Sequence, residues 1–128
     1  MKLIDDFFKI RECKDVDGGF ACTVELNPQH FIYAAHFPQN PITPGVCMMQ
    51  MAGEILERRL GCSLELVRVN NIKYMAVISP AENPVVDYRF SQPSVDEGQC
   101  RVKVAVENGT QAFARMSLTY DVYGAGDR

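Results

Sequence analysis

Polar and apolar positions along this chain follow a strand-like order at both ends and a helix-like order in the middle. Phe7 to Cys13 and Phe20 to Leu26 read as two strands joined by a turn at Asp15-Val16-Asp17-Gly18-Gly19, and Asn27-Pro28 ends the second. Phe31 to Asn40 is expected to be a loop or short irregular segment. Further on, Leu64 to Tyr74 and Pro84 to Phe90 are strand candidates. Gln99 to Glu107 alternates strongly, with Val102, Val104 and Val106 on one face. Asn108-Gly109 signals a hairpin turn before a last strand, Gln111 to Tyr123. Gly124 to Arg128 is expected to be loose.

Between these strands Thr43-Pro44-Gly45 looks like a helix start, with Thr43 as N-cap and Pro44 at the first helical position. The helix is predicted over Pro44 to Leu60, with Gly61 placed to stop it, a length of about 25 Å. From Val46 to Leu56 nearly every position is apolar or small, and a helix apolar all round is buried all round. The predicted architecture is therefore α+β. A curved, mostly antiparallel sheet of five or six strands wraps one long central helix, and a sheet edge or dimer partner covers what remains.

Composition narrows the function classes. The 128 residues fit one domain spanning 1–128, and 47% hydrophobic content is enough for a core. A formal charge of −3 and a pI near 5.3 exclude a nucleic-acid footprint. No apolar stretch approaches a membrane span, and acids at Asp5 and Asp6 stand where a signal peptide would be apolar, so a cytoplasmic location is expected. Five widely spaced cysteines (Cys13, Cys22, Cys47, Cys62 and Cys100) predict reduced thiols. None forms a Cys-x-x-Cys pair, which argues against a zinc or redox motif. Cys47 reads as a small buried apolar residue.

The stretch from His36 to Gln50 carries the chemistry. Pro38, Pro41 and Pro44 restrict the backbone that leads from His36 to the helix. A helix start favours anions, and a fixed histidine can carry a proton; together they suggest acyl thioester chemistry. His36-Phe37-Pro38, then Pro41-Ile42-Thr43-Pro44-Gly45-Val46, then the apolar helix, resembles the hotdog-fold beta-hydroxyacyl acyl-carrier-protein dehydratases. The resemblance covers most of the chain. It extends to Val69-Asn70-Asn71-Ile72-Lys73-Tyr74, to Val77-Ile78-Ser79-Pro80 and to the closing hairpin, although Ala81-Glu82 stands where that family usually has Gly-Asp.

That resemblance implies a hotdog fold and roles for single residues. His36 would remove the α proton of a 3-hydroxyacyl thioester. The amides of Gly45 and Val46 would hold the enolate-like oxygen, aided by the helix dipole. Phe37, Pro44, Val46, Met49 and Glu54 would contact substrate. The family's helix acid, which protonates the leaving hydroxyl, falls at Gln50 in this chain, and an amide exchanges no proton near neutral pH. Three solutions follow. His36 could serve as both base and acid while Gln50 orients the hydroxyl, which is the reading preferred. Glu54, one turn on, could reach the site. Or the protein could bind acyl groups without dehydrating them, as an inactive subunit partnering an active homologue. A hotdog thioesterase is the competing enzyme.

Plainer readings compete residue by residue. His30 reads as surface or structural, and Gln50 equally as a hydrogen-bonded polar residue in a dimer interface. Met48, Met49 and Met51 read as core or as an acyl-tunnel lining, and Glu57-Arg58-Arg59 as an exposed helix end. The resemblance further implies a homodimer with shared active sites, open to assembly as a trimer of dimers. It implies an acyl carrier protein or coenzyme A thioester as substrate, and neither metal nor organic cofactor. An acidic carrier would dock on a basic patch, with Arg58, Arg59, Lys73, Arg89, Arg101 and Lys103 as candidates.

Overall fold

β1 (Phe8–Val16) and β2 (Gly19–Leu26) form the first hairpin, turning at Asp17-Gly18. In this computed structural model residues 1–35 and 38–124 are described; His36, Phe37 and residues 125–128 lie outside them. The segment expected to be irregular after β2 begins instead with a short helix, α1 (Phe31–Ala35). Its start is capped by a ring: the Ile32 amide donates to His30 Nδ1 at 3.1 Å, and His30 Nε2 lies 3.2 Å from Asp6 Oδ2. His30 is buried beside Phe7 and is structural.

The long helix, α2, runs Gly45–Leu60 and ends where Gly61 takes a left-handed conformation at φ +69°, its amide donating to the Glu57 carbonyl. Five more strands follow: β3 (Ser63–Tyr74), β4 (Val85–Ser91), β5 (Ser94–Asp96), β6 (Gln99–Asn108) and β7 (Gln111–Tyr123). The sequence pattern did not predict the three-residue β5. The closing hairpin loop is Gly109-Thr110 rather than Asn108-Gly109, because Asn108 and Gln111 pair as the last rung of β6 and β7.

The seven strands pair antiparallel, in the order β1-β2-β4-β6-β7-β3, with β5 beside β6. One face of the sheet is apolar at every second residue. Cys22 and Val24, Val86 and Tyr88, Val104 and Val106, and Met116 and Leu118 are all buried there. α2 lies against that face and buries Cys47, Met48, Met51, Ala52, Ile55 and Leu56. Met48, Met51, Ile55 and Leu56 each contribute on the order of 1.5–3 kcal/mol. The Tyr88 hydroxyl donates to the Met48 carbonyl at 2.9 Å, which ties the helix to β4. This is the hotdog architecture that the resemblance implied.

Two expectations are corrected. α2 is not buried all round: Val46 and Gln50 are exposed, because the sheet wraps only part of the helix. Nor are all five thiols free. Cys13 and Cys22 are register partners on β1 and β2 and form a disulfide, while Cys47, Cys62 and Cys100 remain free. Sequence spacing does not reveal that proximity, since it is created by hairpin register. Among the described residues no helix is long and apolar enough to cross a membrane.

Candidate functional site

The start of α2 is built differently from the sequence expectation. Pro44, with extended φ/ψ of −62° and 144°, is the N-cap, and no side chain caps the helix. Thr43 turns inward instead. Its Oγ1 is 2.9 Å from the Tyr33 hydroxyl, and its amide donates to the Ile78 carbonyl at 2.8 Å. A buried hydroxyl must find a partner, and Tyr33 supplies one that the helix amides cannot match from outside the core. Burial pushes the Tyr33 phenol up to about 12, against the lowering effect of the bond to Thr43.

With Thr43 occupied elsewhere, the amides of Gly45 and Val46 donate to no acceptor among the described residues, while those of Cys47 and Met48 reach the Pro44 carbonyl. Free first-turn amides at the positive end of a helix dipole can hold a developing oxyanion. Tyr74, at the end of β3, closes this start from one side. Its hydroxyl donates to the Gly45 carbonyl at 2.9 Å, and a Cβ at position 45 would lie 2.7 Å from its ring. Sequence reading gave Tyr74 no role. Val46 is 70% exposed at the same end, and Pro44 and Met49 are half-buried. His36 and Phe37 precede this start and lie outside the described residues.

One turn further on, Gln50 and Glu54 form a linked pair. Glu54 is buried, and its carboxylate accepts from the Leu3 amide at 3.0 and 2.9 Å and from the Ile4 amide at 2.7 Å. Gln50 Nε2 donates to Glu54 Oε2 at 2.8 Å and to the Met1 carbonyl. Both carboxylate oxygens of Glu54 are thus engaged in holding the first residues of the chain against α2. The amide group of Gln50 is spent on the same segment, and its Oε1 accepts no bond among the described residues.

A cavity of about 670 Å³ opens between α2 and the β3–β7 edge, lined by Gln50, Gly53, Glu57, Leu64, Leu66 and Tyr120 among others. Gly53 leaves room there: a Cβ on it would stand 3.5 Å from the Tyr120 ring and hydroxyl. Met48 and Met51 are core, Met49 packs at its margin, and burial raises the Cys47 thiol, as for a small apolar residue.

The outer face of the sheet carries a second feature. Pairing register runs Lys14–Ala21–Arg89–Ala105–Arg115–Lys73 across β1, β2, β4, β6, β7 and β3, one transverse row with four cations. Lys103 lies in the next row beside Ser117 and Asn71, and Arg101 and Arg68 flank Thr119 in the row after. All seven cations are exposed. Of these, only Arg89 makes an ion pair among the described residues, to Glu107 at 3.1 Å. Acids border the band on both sides: Glu12, Asp87 and Glu107 on one, Asp121 and Glu65 on the other. The six patch candidates therefore divide. Lys73, Arg89, Arg101 and Lys103 share this face, whereas Arg58 and Arg59 pair with Asp5 and Asp15 at the helix end.

Known proteins share both the sequence pattern and the architecture. Similarity at 34% identity over 88 residues is found to a 3-hydroxyacyl-acyl-carrier-protein dehydratase FabZ of Brucella ovis, covering 59% of this chain and 55% of that protein. The chain thus spans about half the length of the Brucella relative it matches. A FabZ of Rickettsia africae is 25% identical over 90% of this chain and 82% of its own. Among solved structures, the dehydratase heterocomplex ApeI:P from Xenorhabdus doucetiae superposes with a TM-score of 0.62 at 13% identity, covering 88% of this chain and 96% of that one. A hypothetical thioesterase from Streptococcus pneumoniae, solved with coenzyme A, gives 0.61 at 11% identity, covering 94% and 92%. At such identities these structures speak to the fold alone. The model of the ApeI-like dehydratases, described as ApeI dehydratase, matches residues 12–116, and the chain belongs to that family.

Proposed function

We propose that this protein dehydrates 3-hydroxyacyl thioesters to trans-2-enoyl thioesters. The observation that carries the reading is the bare start of α2. Gly45, under Tyr74, and Val46 present amides that donate to no acceptor among the described residues, where a thioester oxygen can sit, in a chain of a dehydratase family. His36 takes the C2 proton, and the electron pair forms the C2–C3 double bond as the C3–O bond breaks. The hydroxyl departs as water with the proton that His36 returns. Gln50 Oε1 accepts from the substrate hydroxyl and orients it, a task an amide performs without exchanging protons. Glu54 holds the chain start and takes no proton.

The carrier is an acidic protein seated on the outer-face band, four of whose cations lie in one row about 24 Å across at five strand spacings of about 4.8 Å. The active unit is a homodimer joined at β3. Among the described residues that twelve-residue strand pairs only with β7, and it exposes Leu66, Val67, Val69 and Tyr74, a combination that favours association.

A second reading, an acyl-binding subunit without turnover, draws support from Gln50 and from the full engagement of Glu54. The purified protein, offered 3-hydroxyacyl thioesters of several chain lengths with enoyl product and free acid separated, tests all three functions. Enoyl product that vanishes in His36→Ala supports dehydration. Free acid would mean a thioesterase, and ligand binding without product would mean the subunit role.

A further inference from the structure

One buried polar atom in the cavity beside α2 has no partner. The Tyr120 hydroxyl makes no hydrogen bond among the described residues, although the residue is only 3% exposed. An unpaired buried hydroxyl is costly and calls for an explanation. Nothing in the fold needs it. Tyr120 stands on β7 between its register partners Leu66 and Cys100, where a phenylalanine would fill the same space. Burial, followed by the charge effects of Cys100 and Glu57, pushes the ionisation of the phenol to higher pH, so it stays protonated and acts as a donor.

Its neighbours say what it would donate to. The ring rests over Gly53, three residues from Gln50 on α2, and positions three apart on a helix are neighbours on its surface. Gln50 and Tyr120 both line the cavity of about 670 Å³. Among the described residues Gln50 offers an unused acceptor, Oε1, and Tyr120 an unused donor. An alcohol hydroxyl on a ligand gives one hydrogen bond and takes another at a single atom. We infer that Tyr120 donates a hydrogen bond to the 3-hydroxyl oxygen of the bound acyl group while Gln50 accepts from it. The choice of the 3-hydroxyl rests on the proposed function; the unpaired phenol does not. In the reaction the donor would face the oxygen on which charge develops as the C3–O bond breaks, with no proton leaving Tyr120.

Tyr120→Phe removes only the hydroxyl. Binding of 3-hydroxyacyl and saturated acyl N-acetylcysteamine thioesters of equal length is measured by calorimetry, and thermal unfolding is followed in parallel. The variant should bind the hydroxyacyl ligand about five- to tenfold more weakly, bind the saturated one unchanged, and unfold at no lower temperature. Equal losses for both ligands, no loss for either, or a lowered melting temperature would each overturn the inference. Because binding is read directly, a wild-type protein that discriminates the two ligands yet yields no enoyl product would defeat the dehydratase reading and leave this one standing.

Discussion

The Tyr74 hydroxyl donates to the Gly45 carbonyl at 2.9 Å, while the Tyr74 ring fills the place a Cβ on residue 45 would occupy. Tyrosine and glycine are thus matched across the gap between β3 and α2. Gly45→Ala would put a methyl 2.7 Å from the ring and force one of the two to move. We expect kcat/KM for hydroxyacyl thioesters to fall at least about tenfold, since small displacements at an oxyanion site are costly. Adding Tyr74→Ala should restore stability but not rate. A single variant with wild-type kinetics would show that the helix start is not the oxyanion site.

Gln50→Glu would set a second carboxylate against Glu54, to whose Oε2 Gln50 now donates at 2.8 Å. Like charges so close cannot both ionise readily, so one proton is held to higher pH. The variant gains an exchangeable acid where the amide has none, and dehydration should rise several-fold below neutral pH. A slower variant would show that the amide is tuned to this site. Glu54→Gln leaves one acceptor oxygen where two now serve the Leu3 and Ile4 amides and Gln50, sets an amide donor among those N–H groups, and should destabilise by about 1–3 kcal/mol in urea unfolding. Amide exchange at Leu3 and Ile4 should accelerate.

Tyr33 predicts an alkaline limit. Its phenol is held up to about 12 when folded, against the ordinary 10.0. Below pH 10 both states keep the proton and the contribution to stability is complete. As pH rises from 10 towards 12 the unfolded chain loses the proton first, and stability falls. In Tyr33→Phe this slope should be shallower, although the bond to Thr43 is lost. Urea titrations between pH 9 and 11.5 that give parallel slopes for the two proteins would refute the assignment.

The Cys13–Cys22 link should leave three thiols open to alkylation in denaturant without reductant, and five after reduction. Mass spectrometry distinguishes the two. Cross-linking a short hairpin restricts the unfolded chain, so Cys13→Ser with Cys22→Ser should cost about 2–3 kcal/mol. Five modified thiols without reductant would mean that the pair is not joined.

The outer-face band predicts dependence on the carrier. Reversing Arg115 and Lys103 to glutamate should raise KM for a carrier-protein thioester about tenfold at low salt, with less effect at high salt. The same acyl group on N-acetylcysteamine should turn over as before. Equal effects on both substrates would place those cations in general folding rather than docking.

Much of this protein is written in local patterns. The alternation in Val102, Val104 and Val106, the apolar run from Val46 to Leu56 and the stop at Gly61 predict strand, helix and helix end, because burial on one face and backbone geometry act over a few residues. A helix start at this proline was legible to within one residue, with Thr43 read as the cap where Pro44 is, and it carries the family resemblance. Contacts between distant segments were not. Thr43 offers a good cap by its local chemistry, yet a tyrosine ten residues earlier takes its hydroxyl into the core. Cys13 meets Cys22 through hairpin register, Glu54 meets the amides of Leu3 and Ile4 across fifty residues, and four cations on four strands line up in one row. The unpaired phenol of Tyr120 is likewise a property of the assembled core. Sequence alone determined the long helix and the longer strands, though not α1 or β5, and marked where a helix start could do chemistry. Tertiary structure decided which polar groups are satisfied and which stay free, because hydrogen bonds and register join residues that no local pattern brings together.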